Sequence, residues 1–230
     1  MTRSIAHNWA LVLVKDKNLA KTRLAGVLDF EERVALQSAM LHDVLLTLQK
    51  VRGLEGVTIC SPDKSHARTA EHYGALFLGQ PEDISDMNGA ATYGSAMLAR
   101  YGANVIGVLP GDLPLLEAGD VRAAFAAALT RNRPVIIPDL QDKGTNGIFF
   151  TIENVPEFRF GPDSFYRHLA AEGQRPAVPM PLSSFARDID TPADLEALIA
   201  SPSNVGQCSS GLLQSIMNNW QAHELIGSMS

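Results

Sequence analysis

Six short apolar runs punctuate the chain: Trp9 to Val14, Val57 to Cys60, Ala75 to Leu78, Val105 to Leu109, Val135 to Ile137 and Ile148 to Ile152. Runs this short, continuous rather than alternating, predict strands buried on both faces. Between the first two, Asp29 with Glu32 three residues on makes a capping-box pattern ahead of Val34, Leu41, Leu45 and Leu48, which share one helical stripe. Further helical patterns run over about 88 to 99, from Asp120 as a cap to Leu129, from Ser164 to Ala171 and from Pro192 to Ile199. Strand and helix therefore alternate, with connections too long for hairpins. This predicts an α/β fold of three layers, αβα, built on a mostly parallel sheet. In such a fold ligands belong at the C-terminal ends of the strands.

The 230 residues suit one core, since single cores keep growing to about 250 residues before chains divide. No repeat, charge block or linker interrupts residues 1–200, which we expect to form a single domain. Residues 201–230 turn rich in Ser, Asn and Gln and read as a C-terminal appendage. Within it Leu212, Leu213, Ile216 and Trp220 have helical spacing, so the segment can dock on the domain or on a second subunit, which leaves a homo-oligomer open. Catalysis is not expected to depend on it.

Charge and cysteine usage narrow the partners. Lys and Arg number 19 against 25 Asp and Glu, a net charge of -6, which argues against a nucleic-acid partner. No apolar run nears the length of a membrane span, and the start of the chain is polar, so we expect no membrane partner. Cys60 and Cys208 lie far apart, in neither a metal-ligand spacing nor a disulfide framework, which fits a reducing, cytoplasmic setting. Six scattered histidines offer no ligand pair, so any metal should be held by carboxylates.

Lys15, Lys17, Lys21 and Arg23 follow the first strand, four cations in nine residues of an acidic protein. They suit a triphosphate cradle, with Arg able to grip phosphate bidentately, although they equally suit a solvated loop. Asp112 leaves the Val105 to Leu109 strand between Pro110 and Pro114, where it can hold a hard cation such as Mg2+ or simply make a turn. Asp188 and Asp190 alternate onto one side of an extended segment. The Thr191 and Pro192 that follow also make a good helix start, with Thr191 as cap. The turn Gly144-Thr145-Asn146-Gly147 and the loop Phe160-Gly161-Pro162-Asp163-Ser164-Phe165 present small residues and hydroxyls suited to a phosphate or carboxylate. Ser61, Asp63 and Asn88 offer groups for a base edge, or ordinary turns and caps.

Taken in chain order, several of these segments resemble one family. They are the basic stretch ending Ala20-Lys21-Thr22-Arg23-Leu24, then Ser61-Pro62-Asp63, Leu109-Pro110-Gly111-Asp112-Leu113-Pro114, and Gly144-Thr145-Asn146. Phe160-Gly161-Pro162-Asp163-Ser164-Phe165 with His168, and Asp188-Ile189-Asp190-Thr191-Pro192, complete the set. The set is similar to the phospholactate, phosphoenolpyruvate and 3-phosphoglycerate guanylyltransferases of deazaflavin coenzyme biosynthesis, over roughly residues 9 to 198. The resemblance implies a molybdopterin-nucleotidyltransferase-like fold, that is, a Rossmann-like, nucleotide-diphospho-sugar-transferase-like one. It further implies transfer of GMP from GTP to the phosphate of a small phosphorylated carboxylic acid, with release of pyrophosphate. Mg2+ would be held by Asp112 and Asp190, with Asp188 as neighbour. Thr145, Gly161 and Ser164 match the acceptor contacts of such enzymes, while the residues themselves suggest that Lys21 and Arg23, with Lys15 and Lys17 as weaker candidates, meet the β and γ phosphates and that Ser61, Asp63 and Asn88 face the nucleotide.

Leu13 and Asp16 stand where such relatives often have proline, and Asp16 is expected to weaken the cationic cradle. The acceptors differ by a hydroxyl, methyl or methylene group; 3-phosphoglycerate and phosphoenolpyruvate suit the bacterial character of the sequence. Two rivals share the nucleotide half of the site: an enzyme with molybdopterin or a sugar phosphate as acceptor, and a non-catalytic nucleotide-binding module.

Overall fold

Successive residues of the first strand face two different cores. Ala10 and Val12 point into one and Leu11 and Leu13 into the other, and none of the four is more than 6% exposed. This is the two-sided burial that a continuous apolar run implies. The computed structural model describes residues 7–171, 175–200 and 205–227, the side chains of 219–227 excepted, so the Trp220 side chain lies outside what is described.

The strands are β1 (Asn8–Leu13), β2 (Leu54–Ser61), β3 (Leu76–Gly79), β4 (Val105–Pro110), β5 (Val135–Pro138), β6 (Thr145–Thr151) and β7 (Val178–Pro179). They form one sheet in the order β3-β2-β1-β4-β6-β5-β7. All pairings are parallel except the two made by β6, which runs against β4 and β5. The helices are α1 (Phe30–Gln49), α2 (His66–His72), α3 (Met87–Arg100), α4 (Ala118–Arg131), α5 (Ser164–Leu169), α6 (Pro192–Ala200) and α7 (Gln207–Gly227). Leu41, Leu45 and Leu48 of α1, with Val121 and Phe125 of α4, fill the core on one face of the sheet. Ala90, Ala91 and Leu98 of α3, with Phe165 of α5, fill the other. The three-layer αβα reading of the sequence therefore holds. Gly94 lets α3 lie on β1, since a Cβ there would meet Leu11 Cδ2 at 2.6 Å.

The Asp29 capping box forms in both directions: Glu32 N–H donates to Asp29 Oδ1 at 2.8 Å, and Asp29 N–H to Glu32 Oε2 at 2.9 Å. Thr191 caps α6 as expected, its Oγ1 accepting from Asp194 N–H at 3.3 Å while the Asp194 carboxylate accepts from Thr191 N–H at 2.8 Å.

Three expectations need correction. β5 and β6 form an antiparallel hairpin closed by residues 139–144, so not every connection is a crossover. Consequently Thr145, Asn146 and Gly147 lie in β6 and are not a turn; the small residues that suggested one allow close contact instead, with Gly147 packed on Ile137 and Phe185. Helix α4 begins at Ala118, two residues before Asp120, whose carboxylate sits in the first turn and accepts from Ser184 Oγ at 2.8 Å. An acidic residue is favourable in a first turn as well as at a cap, so the composition did not fix the boundary.

The C-terminal segment is packed. Leu213 and Ile216 of α7 enter a third core with Leu36 and Met40 of α1, Leu195 and Leu198 of α6, and Ile189. Asp43 of α1, 4% exposed, anchors the start of α7 by accepting from Cys208 N–H at 2.9 Å and Ser209 N–H at 2.8 Å. Two buried, charge-assisted bonds to helix-terminal amides make Asp43→Ala costly, on the order of 2–4 kcal/mol. Urea unfolding should read this loss, accompanied by exposure of α7 to proteolysis.

Candidate active site

Because β6 runs against its neighbours, its first residue sits at the same edge of the sheet as the ends of β1 and β4. That edge carries a cleft of about 700 Å3. Its lining brings together Lys15, Lys21 and Arg23, then Asp112, then Thr145, then Gly161 and Ser164, and finally Asp188 and Asp190. These segments are up to 175 residues apart in sequence, and the strand ends gather them.

Pro110 ends β4 opposite Leu13, and Gly111 N–H donates to Leu13 O at 3.1 Å, so the chain turns just beyond the end of β1. Gly111 is needed for closeness: a Cβ there would lie 3.1 Å from Val14 and 3.2 Å from Leu41. Asp112 follows and faces the cleft. Ile189, fully buried in the third core, forces its neighbours Asp188 and Asp190 the opposite way, into the cleft. Core packing thus aims the carboxylates.

Lys21 stands between them. Its Nζ donates to Asp112 Oδ2 and, at 2.9 Å, to Asp190 Oδ1, and its side chain is only 5% exposed. Burial opposes the charge on Lys21, but Asp112 and then Asp190 outweigh it, so its pKa is raised. Burial likewise opposes the Asp190 carboxylate, and Lys21 overcomes this and lowers its pKa. Asp188 has no such ion pair among the described residues; its Oδ1 accepts from Asn146 Nδ2 at 3.5 Å. Burial, followed by repulsion from Asp112 and Asp190, pushes Asp188 up to about 6. Lys21 also occupies the left-handed region, with φ 44 and ψ 44, a strained conformation for a residue with a Cβ.

The other cations divide. Arg23 is 74% exposed and 3.8 Å from Asp190 Oδ2. Lys15 lines the cleft, its carbonyl accepting from Gln37 Nε2 at 3.0 Å. Lys17 turns away toward Asp63, 3.8 Å distant, and does not join the cradle. Asp16 caps a 3-10 turn by accepting from Asn18 N–H at 2.7 Å and is not among the residues that line the cleft.

Three predicted nucleotide contacts fall outside the cleft lining. Ser61 is fully buried and shares a hydrogen bond of 2.8 Å with His66 Nδ1, while Asp63 accepts from Ser65 N–H at 2.8 Å; both organise the turn after β2. Asn88 accepts from Phe160 N–H at 2.6 Å and clamps the loop that carries Gly161. Each organises a turn or loop in this structure. Gly161, at φ 118, makes a bend that residues with a Cβ rarely adopt. Sequence reasoning assigned no role to Asn146, 5% exposed and bound to Phe185 O at 2.8 Å, nor to Lys143, a further cation in the cleft wall.

Among the described residues no group of three or more His, Cys, Asp or Glu side chains is arranged to hold a metal. The donor set is instead a pair, Asp112 and Asp190, already sharing one cationic group. A pair suffices for Mg2+, which binds through one or two carboxylates and completes its shell with phosphate and water oxygens.

A model of the family described as guanylyl transferase CofC like matches residues 9–217. The chain belongs to this family. The match extends beyond the expected end at residue 198 and into α7. The phosphoenolpyruvate guanylyltransferase of Conexibacter woesei is 36% identical over 193 residues, covering 83% of this chain and 86% of the relative. That of Rhodococcus opacus is 35% identical over 237 residues, covering 96% and 97%. Among solved structures, a chain described as a nucleotide-diphospho-sugar transferase, from Desulfovibrio desulfuricans G20, superposes with a TM-score of 0.69. Identity there is 19%, over 94% of this chain and 98% of the other. The 4-diphosphocytidyl-2C-methyl-D-erythritol synthase of Anaerococcus prevotii gives a TM-score of 0.58 at 12% identity, over 86% and 96%. These likenesses establish the nucleotide-diphospho-sugar-transferase-like fold. The CofC-like chain is thus a nucleotidyltransferase, and a guanylyltransferase by its relatives.

One titratable group of this guanylyltransferase makes an unusual contribution to stability. His168, 2% exposed, has its pKa lowered from 6.5 to about 4 by burial, while the hydrogen bond with Ser164 opposes the shift. Between those values the unfolded chain binds a proton that the folded one refuses, so stability falls as pH drops from 6.5 towards 4. The advantage of the native protein over His168→Asn should therefore shrink by about 3 kcal/mol across that window. Urea unfolding of both proteins at pH 7 and pH 4 checks this.

Proposed function

We propose that this guanylyltransferase transfers GMP from GTP to the phosphate oxygen of phosphoenolpyruvate, or of a close relative such as 3-phosphoglycerate or 2-phospholactate. Pyrophosphate is released. The observation that carries the reading is the Lys21 ammonium shared by Asp112 and Asp190 at the strand ends, facing the hydroxyls of Thr145 and Ser164 across one cleft. A cation site and an anion-binding wall are what joining two phosphorylated molecules requires. The names of the relatives supply the acceptor.

The acceptor phosphate is largely dianionic near neutral pH, its second pKa being about 6, so its oxygen attacks the α-phosphorus without a strong base. Asp112 and Asp190 would hold Mg2+, which when bound offsets negative charge on the α-phosphate and the departing pyrophosphate. Lys21 now occupies the carboxylate oxygens that would hold the metal. Released from them, its ammonium would meet the β and γ phosphates, joined there by Lys15 and Arg23. Thr145, Ser164 and the Gly161 bend hold the acceptor in line. This reading places the protein in the cytoplasm, in the assembly of the deazaflavin coenzyme side chain.

Incubation with GTP, Mg2+ and each of the three acids, followed by mass detection of the product, tests the proposal. A guanylylated phosphoenolpyruvate is the expected product. Turnover with molybdopterin or a sugar phosphate alone would replace the acceptor, and GTP binding without any transfer would favour the non-catalytic reading.

A further inference from the structure

The anion-binding wall is wired to a buried histidine. Arg159 N–H donates to His168 Nε2 at 2.8 Å, so that nitrogen must be the unprotonated one and Nδ1 must carry the hydrogen. Nδ1–H then donates to Thr145 Oγ1 at 3.0 Å. Thr145 and Ser164 share a second hydrogen bond of 3.2 Å, which uses one of their two hydroxyl protons. One hydroxyl proton is left over, and both side chains line the cleft. The His168 ring is itself held edge-on by Phe160, with centroids 5.1 Å apart.

We propose that His168 is a positioning residue: locked as its Nδ1–H tautomer by the Arg159 amide, it fills the acceptor side of Thr145 Oγ1 and so commits the Thr145–Ser164 pair to donating a hydrogen bond to an anion in the cleft. Without it, Thr145 Oγ1 keeps a free lone pair, so its left-over proton can turn away from the cleft and leave that lone pair toward the anion. The assignment of the anion to the phosphorylated acceptor, and not to GTP, rests on the function proposed above. The tautomer and the hydrogen-bond chain do not.

Two substitutions separate the two ring nitrogens. His168→Asn puts an amide near the Nδ1 position and keeps a donor for Thr145, whereas His168→Gln puts it near Nε2, keeping the Arg159 bond and losing that donor. His168→Gln should raise the KM for the acceptor by about 10- to 30-fold, the size of one hydrogen bond to a charged group. The KM for GTP should stay within about twofold, and His168→Asn should recover most of the loss. Equal changes in both KM values, or equal damage from both variants, would overturn the proposal. If the Gln variant fails to fold, nitrogen NMR of the native protein still decides it: Nδ1 protonated and Nε2 bare at neutral pH is expected, and the reverse refutes it. A native protein with the expected tautomer that transfers nothing to any of the acids would defeat the proposed function and leave the wiring standing.

Discussion

Asp112→Asn should lower the rate of guanylyl transfer by on the order of 10^3-fold while the protein stays folded. The change removes a charge and almost no volume. What is lost is one of the two carboxylates that share a cation at the strand ends, and losses of one preorganised electrostatic contact of this kind run to about 3–4 kcal/mol in the transition state. The fold should tolerate it because Lys21 keeps its 2.9 Å bond to Asp190, and because Asp112 no longer repels Asp188. Asp112 is 25% exposed on its side chain, so its pairing with Lys21 is partly screened and its removal should cost about 1 kcal/mol or less. Steady-state kinetics with thermal melting in parallel reads both parts. A folded Asp112→Asn protein with native turnover would remove Asp112 from the chemistry.

Lys21→Met should be damaging in two ways. Turnover should fall by about 10^2- to 10^4-fold, because the only cation held between the carboxylates among the described residues is also the one placed to meet the departing phosphates. The ligand-free protein should also lose stability, by about 1–3 kcal/mol, since Asp112, Asp188 and Asp190 would face one another with only the exposed Arg23, 3.8 Å from Asp190, as a near counter-charge among the described residues. Millimolar Mg2+ should return part of that stability without returning turnover, which separates the two roles. Lys21→Arg should not rescue, because a broad planar guanidinium cannot take the place of a compact ammonium in a 5%-exposed slot. Urea unfolding with and without Mg2+, beside pyrophosphate-release kinetics, checks each statement.

The fold was legible where a local pattern had one physical meaning. The apolar runs of β1 and β4 are buried on both faces, and Asp29 with Glu32 caps α1 because both halves of the box are local. What the pattern missed depends on partners distant in sequence. The direction of β6 is set by pairing to β4, and no local feature of Thr145 to Gly147 distinguishes a small-residue strand from a turn. Asp43 carries no sequence signature of its role, because the amides it receives lie 165 and 166 residues away. The candidate site behaves likewise. Four cations after β1 could be read, but not that Lys17 would be drawn to Asp63 and Lys21 buried between two carboxylates. The spacing of Asp188 and Asp190 gave their common side, and the burial of Ile189 explains why that side is the cleft. The tail read as an appendage because its Ser and Asn are polar, but the helical spacing of Leu213 and Ile216 allowed docking, and they pack into the core that carries Ile189.

The most direct test of the carboxylate pair as the meeting point of cation and triphosphate is a crystal structure with Mn2+ and a non-hydrolysable GTP analogue, the metal located by its anomalous scattering. The expected result is Mn2+ between Asp112 and Asp190, with the Lys21 ammonium moved from the carboxylates to the phosphates. Mn2+ bound elsewhere, or Lys21 still bridging the two carboxylates beside a bound nucleotide, would contradict it.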